Sequence, residues 1–264
     1  MTRSRSRLTR RGAAAVLCTT AVALTGCMST EPEARSASGV PLVSEDTLTI
    51  CTNTPYAPFE FEEGGRVIGF DMDLGREIAD DLEVEDVSVI QTGFEGMESG
   101  ADLSTNKCDV AISGIGITEA RASVLDFSEP YYQDGLGVLV REGSPIRGLE
   151  DIGDARVAVQ QATSGEAYAT EHELNLEQQE DVELMLQKLE TDGVEAVIGN
   201  VSVLGYRAKD NPDLVLHEDT ASAEPLGVAI RLGNTAMVDS VNATLQRMDA
   251  DGTMAELEQK WMGQ

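Results

Sequence analysis

Arg121 and the residues just before it carry the first chemistry that the chain offers. The run CDVAISGIGIT, residues 108–118, is short, apolar and β-branched, as a buried strand is, and it ends in Gly114 and Gly116. Glycines leave the backbone bare there, so a ligand can approach the strand end closely beside the Ser113 hydroxyl. Thr118 is placed to cap a helical turn containing Arg121, which sets a guanidinium beside exposed helix N–H groups. A planar fork of donors holds two oxygens at once, so the grouping has the outline of a carboxylate receptor. Taken from the residues alone, an arginine on a solvated helix face is the alternative.

Other groups have weaker claims. Tyr56, Phe59 and Phe61 crowd a loop broken by Pro55 and Pro58, and form either a ligand wall or a lid over the core. Thr163 and Ser164 stand at a strand-to-helix turn, where Ser164 is the expected cap in front of Gly165. Asp71 and Asp73 resemble paired carboxylates, yet Asp71 as a helix cap and the helix dipole account for both. Catalytic patterns are missing: there is no GxSxG, HExxH or CxxC, and His172 and His217 are isolated. Gly114-Ile115-Gly116 lacks the third glycine of a dinucleotide fingerprint. The chain is therefore expected to use no cofactor and no metal.

The elements that must position these residues follow from periodicity. TLTICT and VSVIQ read as strands, Leu74, Ile78 and Leu82 stripe a helix at spacing four, and Gly64-Gly65 reads as a hairpin turn. The order of strand, loop, helix, strand, helix, strand favours a parallel sheet flanked by helices, with binding loops at the strands' C-terminal ends. Two helices with stripes at Val238, Val241, Leu245 and Met248, and at Leu257 and Trp261, close the chain.

The 264 residues suffice for two lobes or one large domain, and carry a net charge of −28. The first 26 residues contain five arginines and no other charge, so the part from Cys27 onward stands at −33. A chain so acidic repels nucleic acid and anionic lipid, and its charge serves solubility.

Arg3, Arg5, Arg7, Arg10 and Arg11 precede a short apolar run, residues 13–24, which as a helix covers about 18 Å and is too short for a bilayer. With Leu-Thr-Gly-Cys at 24–27 it resembles a bacterial lipoprotein signal. That resemblance implies export, cleavage before Cys27, acylation of its thiol, and anchoring to the outer face of the cell membrane by lipid, through a polar tether over residues 27–45. Arg10-Arg11 also permits twin-arginine export. Cys51 and Cys108 then remain in an oxidising compartment, either as a disulfide or as two buried thiols.

The strings TPYAPFEF, GFDMDLGREIA, SGIGITEARASVLDFSEPYY and DGTMAELEQKWMG together resemble the family 3 extracellular solute-binding proteins, the amino-acid receptors of ABC importers. The resemblance implies an α/β, two-lobed periplasmic-binding-protein fold, each lobe a mainly parallel sheet, joined by two crossover strands. Residues 46–133 and 223–264 would form one lobe and 134–222 the other, with Gly135 and Gly137 as hinges. It implies a non-enzymatic monomer that traps a small carboxylate-bearing solute and presents it to ABC permease subunits. Arg121 would grip the α-carboxylate beside Ser113, Gly114 and Gly116, and Tyr56 and Phe94 would sandwich the side chain. Gln160, Thr163 and Ser164 would clamp from the second lobe.

Asn200 departs from that pattern, because members that bind ordinary amino acids carry an aspartate there. Asn53 likewise stands where members that prefer cationic side chains carry an acid. Both argue against lysine, arginine or ornithine and leave a polar amino acid or a related carboxylate solute. An exported dehydratase on the same scaffold, with Glu60 or Glu166 as proton donor, and a sensing lipoprotein are the alternatives.

Overall fold

The computed structural model describes residues 34–263. The expected signal segment, Cys27 and the first part of the expected tether lie outside the described residues. The rest of that tether is folded: β1 (Ala34–Arg35) and β2 (Pro41–Leu42) pair antiparallel, and Val40 and Leu42 are buried. Asp109 holds the segment down, one carboxylate oxygen accepting from the Val43 N–H at 2.6 Å and the other from the Thr49 N–H at 2.8 Å. Burying each of those apolar side chains is worth about 1.5–3 kcal/mol, enough to fasten a strand that its Pro and Ser neighbours disguise.

The chain continues through β3 (Thr47–Thr52), the hairpin β4 (Phe61–Glu63) and β5 (Arg66–Ile68), and helix α1 (Phe70–Asp81). Helix α1 begins after Gly69, at φ 137°, where an added Cβ would lie 2.0 Å from the Phe59 carbonyl oxygen. Only glycine fits there, so the helix starts earlier than a cap at Asp71 would require. Asp71 is instead inside the first turn and wholly buried. Leu74, Ile78 and Leu82 do face the core.

Next come β6 (Asp86–Gln91), the short helices α2 (Phe94–Glu98) and α3 (Ala101–Ser104), β7 (Val110–Ala111), α4 (Glu119–Ala122) and β8 (Leu125–Phe127). The long strand β9 (Tyr132–Arg141) carries the chain into a second sheet. There β10 (Arg156–Gln160), α5 (Ser164–Glu171), β11 (Asn175–Gln179), α6 (Val182–Glu190), β12 (Ala196–Asn200) and α7 (Val201–Ala208) follow, and β13 (Leu214–Leu226) leads back. β14 (Ala229–Arg231), α8 (Thr235–Asp251) and α9 (Thr253–Trp261) complete the described fold.

The first sheet has the order β6-β3-β7-β14-β8 and the second β11-β10-β12-β9-β13. Each is half parallel and half antiparallel, not mainly parallel: β3 runs parallel to β6 and β7, and β10 to β11 and β12, while β14 and β9 oppose both neighbours. The reversal arises because strands that enter from the other lobe join the sheet without a helical crossover. β9 and β13 pair along most of their length, with a register shift between Glu218 and Ala223. This two-lobed α/β architecture brings the C-terminal ends of β3, β7, β10 and β12 toward one another.

Candidate functional site

The site is assembled from strand ends. Past β7, the Ser113 hydroxyl donates to Glu60 Oε1 and accepts from the Asn53 N–H at 3.0 Å, so it is held by the loop after β3. The Gly114 N–H donates to Asp71 Oδ2 at 2.7 Å, and Tyr131 donates to the same oxygen at 3.2 Å. Gly114 sits at φ +55°, and a Cβ there would come within 2.9 Å of the Tyr56 ring, so the aromatic wall lies directly on the bared backbone.

Beneath this floor Glu60 and Asp71 form a buried carboxyl pair. Desolvation pushes the Glu60 carboxyl well above its ordinary value and Asp71 up to about 7, against the donors from Gly114 and Tyr131. Glu60 Oε2 and Asp71 Oδ1 are buried without a hydrogen-bond partner, which favours the protonated form of the pair.

Thr118 caps α4 as expected, its Oγ1 accepting from the Arg121 N–H at 3.2 Å. Arg121 is only 6% exposed, which removes the solvated-face alternative. Its Nη1 donates to the Gly116 carbonyl at 2.9 Å, and its Nη2 reaches across to the Ala162 carbonyl of the other lobe at 2.9 Å. The guanidinium carbon lies 5.4 Å from the centre of the Phe94 ring, a cation–π contact. Glu98 stands 3.6 Å from Nε and Glu224 4.0 Å from Nη1.

From the second lobe, Gln160 Nε2 donates to Asn53 Oδ1 at 2.8 Å. Thr163, not Ser164, caps α5, because its Oγ1 accepts from the Glu166 N–H at 3.4 Å while its hydroxyl donates to the Gln160 carbonyl at 2.7 Å. Ser164 is thereby the first helical residue, and its hydroxyl donates to Glu224 Oε1. Glu166 turns back to accept from the Ala162 N–H at 2.5 Å, inside the turn. Asn200, at the end of β12, accepts from the Tyr56 hydroxyl at 2.7 Å and donates to Asp134 Oδ2 at 3.2 Å and Glu224 Oε2 at 3.3 Å.

Every ligand-contact candidate from the sequence, Tyr56, Phe94, Ser113, Gly114, Gly116, Arg121, Gln160, Thr163, Ser164 and Asn200, therefore falls at one junction. Tyr56 to Asn200, Asn53 to Gln160 and Arg121 to Ala162 stitch the two lobes across it. A cavity of about 10 Å³ remains by Tyr56, Gln160, Thr163 and Asn200, room for no more than a single water. A hollow of about 370 Å³ lies elsewhere, at Tyr132, Tyr206 and Trp261, and contains none of these residues. Sequence reasoning missed Asp134 and Glu224, since each stands in a crossover strand whose pattern gives no sign of a site.

Cys51 and Cys108 are joined in a disulfide between β3 and the approach to β7. Among the described residues no cluster of three or more potential metal ligands occurs, and no helix is long and apolar enough to cross a membrane.

Residues 48–264 match the bacterial extracellular solute-binding proteins, family 3. The chain is 28% identical over 263 residues to the L-cystine-binding protein TcyJ of Escherichia coli, covering 97% of this chain and 98% of that protein. It is 28% identical over 252 residues to the arginine-binding extracellular protein ArtP of Bacillus subtilis, covering 90% and 92%. Among solved structures, an ancestral arginine-binding protein bound to glutamine superimposes with a TM-score of 0.78 at 32% identity, covering 84% of this chain and all of that one. ArgBP of T. maritima, as a mutant, gives 0.78 at 31%, covering 83% and 96%. These relatives are named as solute-binding proteins, and this chain is likewise a binding protein and not an enzyme. With the match spanning both sheets and the cleft between them, the chain belongs to the bacterial extracellular solute-binding proteins of family 3.

Proposed function

We propose that the protein captures a polar amino acid between its lobes and delivers it to the permease of an ABC importer, held at the extracytoplasmic face of the membrane by lipid on Cys27. The observation that carries this reading is the convergence on Arg121. Its guanidinium, the Ser113 and Ser164 hydroxyls and the bared backbone at Gly114 and Gly116 meet where the lobes close. A carboxylate arriving there can take over donors that carbonyls now hold, gaining charge-assisted bonds in a desolvated site. Differential contacts of this kind, made only when both lobes engage the solute, shift the open–closed equilibrium toward the form a permease recognises. Relatives named for cystine, arginine and glutamine support an amino acid as the solute. Asn53 is neutral and engaged by Gln160 and by the Thr92 carbonyl, which favours an uncharged side chain on the solute.

The test is a thermal-shift screen of the purified protein against the twenty amino acids, cystine, betaines and ectoine, followed by calorimetry. A ligand present at about 100 times its Kd adds about 2.7 kcal/mol of stability and raises the melting point measurably. A response to one or a few polar amino acids supports the proposal; a response only to solutes without an amino group, or none at all, overturns it.

A further inference from the structure

Asp134 on β9 and Glu224 on β13 are direct partners on one rung of the antiparallel ladder, so their carboxylates project from the same face. Like charges placed opposite one another in this way destabilise a sheet unless a cation lies between them. The group between them is the neutral Asn200 amide, at 3.2 Å from Asp134 and 3.3 Å from Glu224, longer than charge-assisted bonds run.

The two acids are not equally satisfied. Asp134 accepts from the Gly135 N–H at 2.9 Å and the Ser202 N–H at 3.2 Å, donors of its own strand and of α7. Glu224 has Ser164 and Asn200, is 9% exposed, and forms only a long ion pair, at 4.0 Å, with Arg121 Nη1, which gives one of its two protons to the Gly116 carbonyl. A buried carboxylate can accept about four hydrogen bonds, so Glu224 keeps unused capacity facing the cleft. Gly116 makes room for it, since a Cβ at that position would lie 1.8 Å from Glu224 Oε1.

We propose that Glu224, backed by Asp134, is the counter-charge for the ammonium group of the captured solute, and that it selects solutes carrying an N–H cation a few ångströms from their carboxylate. This rests on the reading of the cleft as an amino-acid site and names the residue that reads the second charge. A hydrogen-bonding carboxylate ranks a primary ammonium above a quaternary one, so betaines should bind less tightly than the matching amino acids.

The experiment measures calorimetric affinity for L-glutamine, L-arginine and L-cystine, and for the desamino analogue of whichever binds, in the natural protein, Glu224→Gln and Asn200→Asp. Glu224→Gln keeps the shape and removes the charge. It is expected to weaken the amino acid at least about tenfold while changing the desamino analogue less than about threefold, so that discrimination collapses. Asn200→Asp is expected to restore amino-acid affinity in the Glu224→Gln background, which separates loss of charge from a folding defect. Unchanged or tighter amino-acid binding by Glu224→Gln, or an equal loss for both probes, overturns the assignment. Should the natural protein bind none of the three amino acids but bind a carboxylate without an amino group, the amino-acid reading itself fails, and Glu224 falls with it.

Discussion

Arg121 of one lobe donates through Nη2 to the Ala162 carbonyl of the other at 2.9 Å, so the residue expected to hold the solute also holds the lobes together. Because its fork is divided between Gly116 and Ala162, Arg121→Lys keeps the charge but loses the two-pronged geometry. We expect Arg121→Lys to weaken binding of the ligand found by the screen at least about tenfold, and Arg121→Ala to abolish it. Arg121→Ala also strands two carbonyls and lowers stability by about 1–3 kcal/mol. Calorimetry paired with a thermal melt checks both; binding by Arg121→Lys within about threefold of the natural protein contradicts the carboxylate role.

The Glu60–Asp71 pair makes stability depend on pH in a direction opposite to that of a salt-bridged acid, whose folded value is depressed. Asp71 has its folded value pushed from 3.8 to about 7 by burial, so the folded chain binds more protons than the unfolded one between those values. Its contribution is complete below about pH 4 and is lost as pH rises through about 7. Asp109, raised to about 6 by burial, adds to the fall over the lower part of the same range. Urea unfolding at about pH 5 and pH 8 should show the natural protein losing more stability than Asp71→Asn; an equal loss in both proteins refutes the buried proton.

The disulfide closes a loop between residues 57 apart in sequence. Constraining an unfolded loop of that length is worth roughly 4 kcal/mol by the chain-entropy estimate, which for a chain of this size is a melting-point change on the order of 10 °C. Melting with and without a reductant should show that drop, and Cys51→Ala/Cys108→Ala should melt like the reduced protein whichever buffer is used. A melting point indifferent to reductant contradicts the bridge.

Leu42 is fully buried although it lies in what composition marks as a tether. Truncating a large apolar side chain in a packed site costs about 2–5 kcal/mol, so Leu42→Ala should lower the urea midpoint clearly while a change at exposed Glu45 should not. Equal midpoints for both variants would show that the segment carries no stability.

Local chemistry was legible wherever it depended on neighbours in sequence. Thr118 three residues before Arg121, the glycines that bare the strand end, the stripe of Leu74, Ile78 and Leu82 and the Gly64-Gly65 hairpin are short-range patterns, and each appears in the fold. The same range limits explain the misreadings. Asp71 looked like a cap because nothing local tells that Gly69 abuts the Phe59 carbonyl, and Ser164 looked like one because Thr163 is equally good chemistry one residue earlier.

The sequence by itself carried the family, and with it the two-lobed α/β class, because that resemblance rests on blocks of residue types kept in order along the chain. Only tertiary structure decided the charge of the cleft. Asp134 and Glu224 lie 90 positions apart and become partners through the pairing of β9 with β13, bringing to Asn200 two carboxylates that its own position lacks. Electrostatic energy depends on distance in space, and strand pairing sets that distance regardless of separation along the chain.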